Sequence, residues 1–176
     1  FIALAGASWA RASGGFALDR GDVEAALARR VETSHFVLHA DPRLDADAVA
    51  ALALAHEHRW DQLAAWFGAT PDAPIHSYVY RDRDQKGALM GASRTQVARP
   101  WRSEIHIHGA EVPHRVLKHE LAHIFAGALA EPPFRIPLIA GVIPNIGVIE
   151  GIAVAADDPV RELTLHHWAA AMLRLG

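Results

Sequence analysis

Apolar residues recur along this chain in two rhythms, one close to the 3.6-residue turn of a helix and one alternating as in a strand. Leu52, Trp60, Leu63 and Trp66 belong to a helical stripe within residues 48–67, and Gly68 follows as a natural stop. A second stripe runs through Val116, Leu117, Leu121, Ile124, Phe125 and Ala128. Pro113 suits the first turn of that helix, where a missing N–H costs nothing; Gly127 lies near its end, and Pro132-Pro133 stops it. A largely buried helix of about 17 residues is expected there. Strands are expected at residues 35–39, 75–80 and 104–108, because Phe36 and Leu38 alternate with His35 and His39, and Ile105 and Ile107 with His106 and His108. The alternation predicts that these four histidines lie on polar strand faces. Short helices are expected at 21–30 and 163–173, a helix around Glu150, and a polar, glycine-containing loop from Arg81 to Pro100.

Helices flanking a small sheet predict an α+β fold. At 176 residues the chain is long enough for one domain with a proper core. Residues 1–30 read as an N-terminal lead segment with a short helix, and 31–176 as the domain proper. One segment fits neither rhythm. Ile136 to Ile149 carries no charge but contains Pro137 and Pro144. Extended to Ala156 it approaches membrane-spanning length, yet its prolines, its glycines and Glu150 argue against a span. It is expected to run as a buried connection beneath the functional site. The alternative is an apolar lip that meets a hydrophobic substrate or a membrane surface.

Composition narrows the possibilities. About half the residues are apolar (51%), the formal net charge is −3, and no basic run points to nucleic acid. The absence of cysteine removes disulfides and thiolate-ligated metals. The opening Phe1 to Ala10 is apolar and rich in small residues, and it begins without Met or a basic flank. We expect a piece of a longer protein, extracytoplasmic or membrane-associated through that longer chain. The pattern does not define an oligomeric state.

Candidate chemistry centres on His119-Glu120-Leu121-Ala122-His123. Residues four apart share one helical face, so His119 and His123 can direct two imidazoles at one metal ion. Glu120 then lies beside the ion, placed to take a proton from an activated water. H-E-x-x-H on a helix is the pattern of a metallohydrolase whose Glu is the general base. A catalytic zinc takes three protein ligands and leaves one position open. One class of zinc peptidases places a third His six residues after the second, following a Gly; Leu129 and Ala126 occupy those positions here. Of the downstream glutamates, Glu131 is too close to the motif and Glu162 sits in a polar stretch. Glu150 is the lone charge in a long apolar segment, and a buried carboxylate is costly unless paired or metal-bound. It is the best third ligand.

These residues resemble the gluzincins of the peptidase MA-like group. Lys118 to His123 matches that family's motif helix, and Glu150-Gly151-Ile152-Ala153 matches its later Glu-Gly-x-Ala helix. Weaker similarity extends over residues 30–160. The resemblance implies a zincin-like domain, in which a small mixed sheet packs on the motif helix and on a second ligand-bearing helix. It implies one zinc per chain held by His119, His123 and Glu150, Glu120 as base, and a peptide or protein as substrate.

Two features depart from the family pattern. Many gluzincins carry an acid about four residues after the ligand Glu, where it orients the first zinc His; here that position is Val154. Asp157 is the candidate replacement, although Asp157-Asp158-Pro159 can equally serve to end the helix. The hydrogen-bond donor for a developing oxyanion is also unassigned. Tyr78 and Tyr80 precede the motif helix, and His166 and His167 are the candidates on its C-terminal side. The expectation is a zinc metallopeptidase. A non-catalytic, zinc-retaining binding or sensing domain of a larger protein is the alternative, and an interaction domain with an accidental motif would bind no metal.

Overall fold

The computed structural model describes residues 19–71, 74–158, 170, 173 and 174. The expected terminal helix at 163–173, with His166 and His167, lies almost wholly outside the described residues. Strand β1 (Arg29–Glu32) pairs antiparallel with β2 (Phe36–Ala40), which runs parallel to β3 (Ile75–Tyr80). Next comes β5 (Glu104–His108), parallel to β3, and then β4 (Val97–Arg99), antiparallel at the far edge. The helices are α1 (Arg20–Ala26), α2 (Ala46–Phe67), α3 (Arg83–Met90), α4 (Leu117–Ala128) and α5 (Ile146–Ala156). A hairpin of two short strands, β6 (Leu138–Ile139) and β7 (Ile143–Pro144), precedes α5. The fold is a small α+β domain with a mixed sheet, and β1 runs across the lead-segment boundary expected at residue 30.

Alternation decides which helix covers which face. Phe36, Leu38, Ile75, Val79, Ile105 and Ile107 point to one side, where they pack with Leu52 and Leu63 of α2 and with Leu121 and Phe125 of α4. Asp45 caps α2 by accepting from the Ala48 N–H, and Gly68 closes it in the left-handed conformation (φ 64°). Phe125 packs edge-on against Trp60, with ring centroids 4.9 Å apart. Among the described residues, no helix is long and apolar enough to cross a membrane.

The second face corrects the expectation for the histidines. Val23 and Leu27, from α1 and its end, and Met90 of α3 pack on Tyr78 and Tyr80. His39 and His106 are buried beneath this cover rather than exposed. Alternation shows that a strand has two faces, but not that two short polar helices will cover the second. The expected loop 81–100 holds α3 and β4. Asp82 accepts from the N–H groups of Asp84 and Gln85 to start α3, and Gly91 (φ 81°) ends it. The first helix ends at Ala26, before the expected residue 30, so that Arg29 can open β1.

The motif helix begins at Leu117, not Pro113. His114 Nε2 lies 3.2 Å from the carbonyl oxygen of His108 and holds the preceding residues in a turn. Near its other end, α4 packs closely on the turn at Pro100. A Cβ at Gly127 would lie 2.5 Å from Pro100 Cβ and 3.0 Å from the Arg135 carbonyl oxygen. Gly127→Ala is therefore expected to destabilise the protein by about 1–3 kcal/mol in urea unfolding. An unchanged midpoint would contradict this seating of α4.

Candidate active site

Three elements build the site. Helix α4 buries Leu117, Leu121, Ile124 and Phe125, which leaves His119, Glu120 and His123 on the side towards α5 and β4. Helix α5 starts at Asn145, whose side chain accepts from the Val148 N–H at 3.2 Å. One turn further along, it presents Glu150 to the two imidazoles. His119 Nε2 is 3.4 Å from Glu150 Oε2, and His123 Nε2 is 3.8 Å from Glu150 Oε1. The two rings are nearly perpendicular (84°), with centroids 4.9 Å apart. Two neutral-capable imidazole nitrogens and a carboxylate within 4.8 Å of one another form a donor set that fits zinc.

Asp157 reaches the site as well. Its Oδ2 lies 2.9 Å from His119 Nδ1. With Nδ1–H donating to that carboxylate, the lone pair on Nε2 faces Glu150. The same contact raises the proton affinity of His119 against the effect of burial, whereas burial lowers that of His123. Next to it, Asp158 receives Lys118 Nζ at 2.8 Å and Arg59 Nη2 at 2.6 Å. The end of α5 is thereby fastened to both α4 and α2.

Glu120 is only 6% exposed. Burial pushes its carboxyl up to about 7; Glu150 and Asp157 add to the rise, while His119 and the buried Lys86 oppose it. Lys86 of α3 donates to the Thr95 carbonyl oxygen. No sequence signal marked it, because a lysine in a polar segment is normally solvated and its burial depends on how β4 folds over it.

The cleft has a volume of about 720 Å³. Gln96, Val97 and Ala98 line it from the β4 side, and Ile136, Ile146 and Ile149 from the other. The segment 136–149 is thus not the buried connection expected of it. Ile139, Ile143 and Ile146 are exposed, and Val142 is 74% exposed at the hairpin tip. Ala140 (φ 52°) and Gly141 (φ 75°) turn the chain between β6 and β7, so that the segment forms a hairpin at the cleft rim. The burial argument for Glu150 changes with it: the side chain is 55% exposed, so proximity to the two histidines, and not isolation in a core, makes it a ligand candidate.

Several candidates are not brought to this cleft. The Tyr78 hydroxyl donates to Glu24 at 3.0 Å and the Tyr80 hydroxyl meets His106 at 2.9 Å, both under the other face of the sheet. His166 and His167 lie outside the described residues.

The raised Glu120 pKa has a sign that can be checked in metal-free protein. A carboxyl that ionises near 4.5 when unfolded and near 7 when folded adds stability below about pH 4.5. That stability is lost as the pH rises through about 7, a change on the order of 3 kcal/mol. From pH 5 to pH 8 the urea midpoint of the metal-free protein is expected to move downward relative to that of Glu120→Gln. Equal slopes in the two proteins would contradict the burial of this carboxyl. Asp157→Asn is expected to weaken zinc binding by about 10–100-fold in a chelator competition assay.

Comparison of the chain with protein-family models, with curated proteins and with solved structures gave no match.

Proposed function

We propose that this domain is a zinc-dependent peptidase of the gluzincin type with a zincin-like fold. The observation that carries the reading is the convergence of His119, His123 and Glu150 beside a buried Glu120, at the floor of an open cleft. A zinc ion on those three side chains would supply Lewis acidity and lower the pKa of a water molecule. Glu120 takes the proton from the attacking water and delivers it to the leaving amine. Its burial suits this double role, because a carboxyl with raised proton affinity both accepts and gives up a proton near neutral pH. Asp157 holds His119 in the tautomer that leaves Nε2 free. The apolar cleft wall formed by Ile136, Ile146 and Ile149 suits a peptide with an apolar side chain near the cleaved bond.

A second reading has one observation in its favour. Neither tyrosine reaches the cleft, so an oxyanion donor is unassigned among the described residues. That is compatible with a non-catalytic domain that keeps zinc for binding or sensing. The retained Glu120 favours the peptidase, since a binding domain has no need of a general base.

Glu120→Gln is expected to keep zinc and to lower peptide turnover by at least about 100-fold. His119→Ala is expected to lose both zinc and turnover. Full turnover with Gln at 120 would overturn the mechanism, whereas zinc binding with no turnover of any peptide by wild type would favour the binding domain.

A further inference from the structure

The opposite face of the sheet carries a second convergence of ligand-type side chains, unrelated to the motif. Glu24 on α1, His39 on β2 and His76 on β3 each offer an atom within 4.8 Å of the others. The parallel register pairs His76 with Val37, so His39 and His76 are diagonal neighbours on the same face. His39 Nε2 lies 3.1 Å from His76 Nδ1 and 3.9 Å from Glu24 Oε1. In the cleft the imidazole-to-carboxylate spacings are 3.4 Å and 3.8 Å, beside 3.9 Å here. Two nitrogens each about 2.0–2.1 Å from a tetrahedral ion stand roughly 3.3–3.4 Å apart. The 3.1 Å between the His39 and His76 nitrogens is close to that span, and the three groups offer ligand atoms within 4.8 Å of one another, as the motif trio does.

The surroundings hold these groups in place. The Tyr78 ring stacks on His39 with centroids 4.9 Å apart at 13°, which fixes the plane of the imidazole. Arg20 Nε (2.8 Å) and the Tyr78 hydroxyl (3.0 Å) both donate to Glu24 Oε1, which orients the carboxylate. Arg20 adds positive charge here, but it is shared with buried Glu104 at 3.5 Å. Helix α1 has little apolar anchorage of its own, since Val23 is its one buried residue.

We propose that Glu24, His39 and His76 form a second divalent-metal site, of structural type, which clamps α1 to β2 and β3. Two imidazoles and one carboxylate select a zinc-class transition ion over magnesium or calcium. The site is independent of the peptidase reading, because it shares no residue with the cleft.

The test is zinc titration of the metal-free full chain against a chromogenic chelator, with circular dichroism as the control for folding. Wild type is expected to bind two ions, and His119→Ala/His123→Ala to keep one. His39→Asn/His76→Asn is expected to bind one fewer than wild type. In the His119→Ala/His123→Ala protein, zinc should slow proteolytic cleavage around α1. Glu24→Gln, a milder change on an exposed helix, should weaken the remaining site at least tenfold and so covers the case in which the double histidine variant fails to fold. The proposal is overturned if His119→Ala/His123→Ala binds no zinc, or if neither the His39/His76 nor the Glu24 change alters zinc binding. Failure of the peptidase reading would appear separately, as absent turnover with this site intact.

Discussion

The whole arrangement depends on how α4 is seated. One side of this helix must enter the core through Leu117, Leu121, Ile124 and Phe125, while the adjoining side turns His119, Glu120 and His123 to the cleft. Burial on one side fixes the rotation of the helix about its axis, and with it the direction of both imidazoles. The lack of a side chain at Gly127 lets the helix lie against the Pro100 turn. Without that close packing, the spacing of four residues between the histidines would give a shared face but no fixed position relative to α5.

A second constraint acts through charge. Helix α5 contributes little to the core: Ala153 and Ala156 are its buried residues, and Ile146 and Val148 are exposed. Apolar packing alone would leave Glu150 poorly positioned. The end of the helix is instead tied by adjacent carboxylates, Asp157 to His119 and Asp158 to Lys118 and Arg59. Exposed ion pairs individually contribute little, about 0–1 kcal/mol, but a carboxylate that receives two cations restricts geometry more than either pair alone. Lys118 and His119 are neighbours on α4, as Asp157 and Asp158 are just past the end of α5, so one junction both orients His119 and locates the helix that carries Glu150.

Parts of this were legible in the sequence because they depend on local pattern. The strands at 75–80 and 104–108 and the long helix ending at Phe67 follow from alternation, helical spacing and a terminal glycine. The spacing of His119 and His123 needed nothing beyond helical geometry. Other features depend on distant parts of the chain. Strand β4 has three residues and α3 is short and polar, so neither carries a periodic signal, yet together they bury Lys86 and form a wall of the cleft. The burial of His39 and His106 follows from the cover of α1 and α3, which strand alternation does not encode. Ile136 to Ile149 shows the reverse case: an uncharged run was expected inside and forms an exposed hairpin, since lack of charge alone gives a segment no partner to bury against.

The central claim is that Glu150 completes a zinc site with His119 and His123. The most direct measurement compares zinc stoichiometry and affinity of wild type and Glu150→Ala, with circular dichroism to show that the exposed substitution leaves the fold intact. The account predicts that the variant binds one fewer tightly held ion than wild type. Zinc bound by Glu150→Ala in the same number and with the same affinity would contradict it.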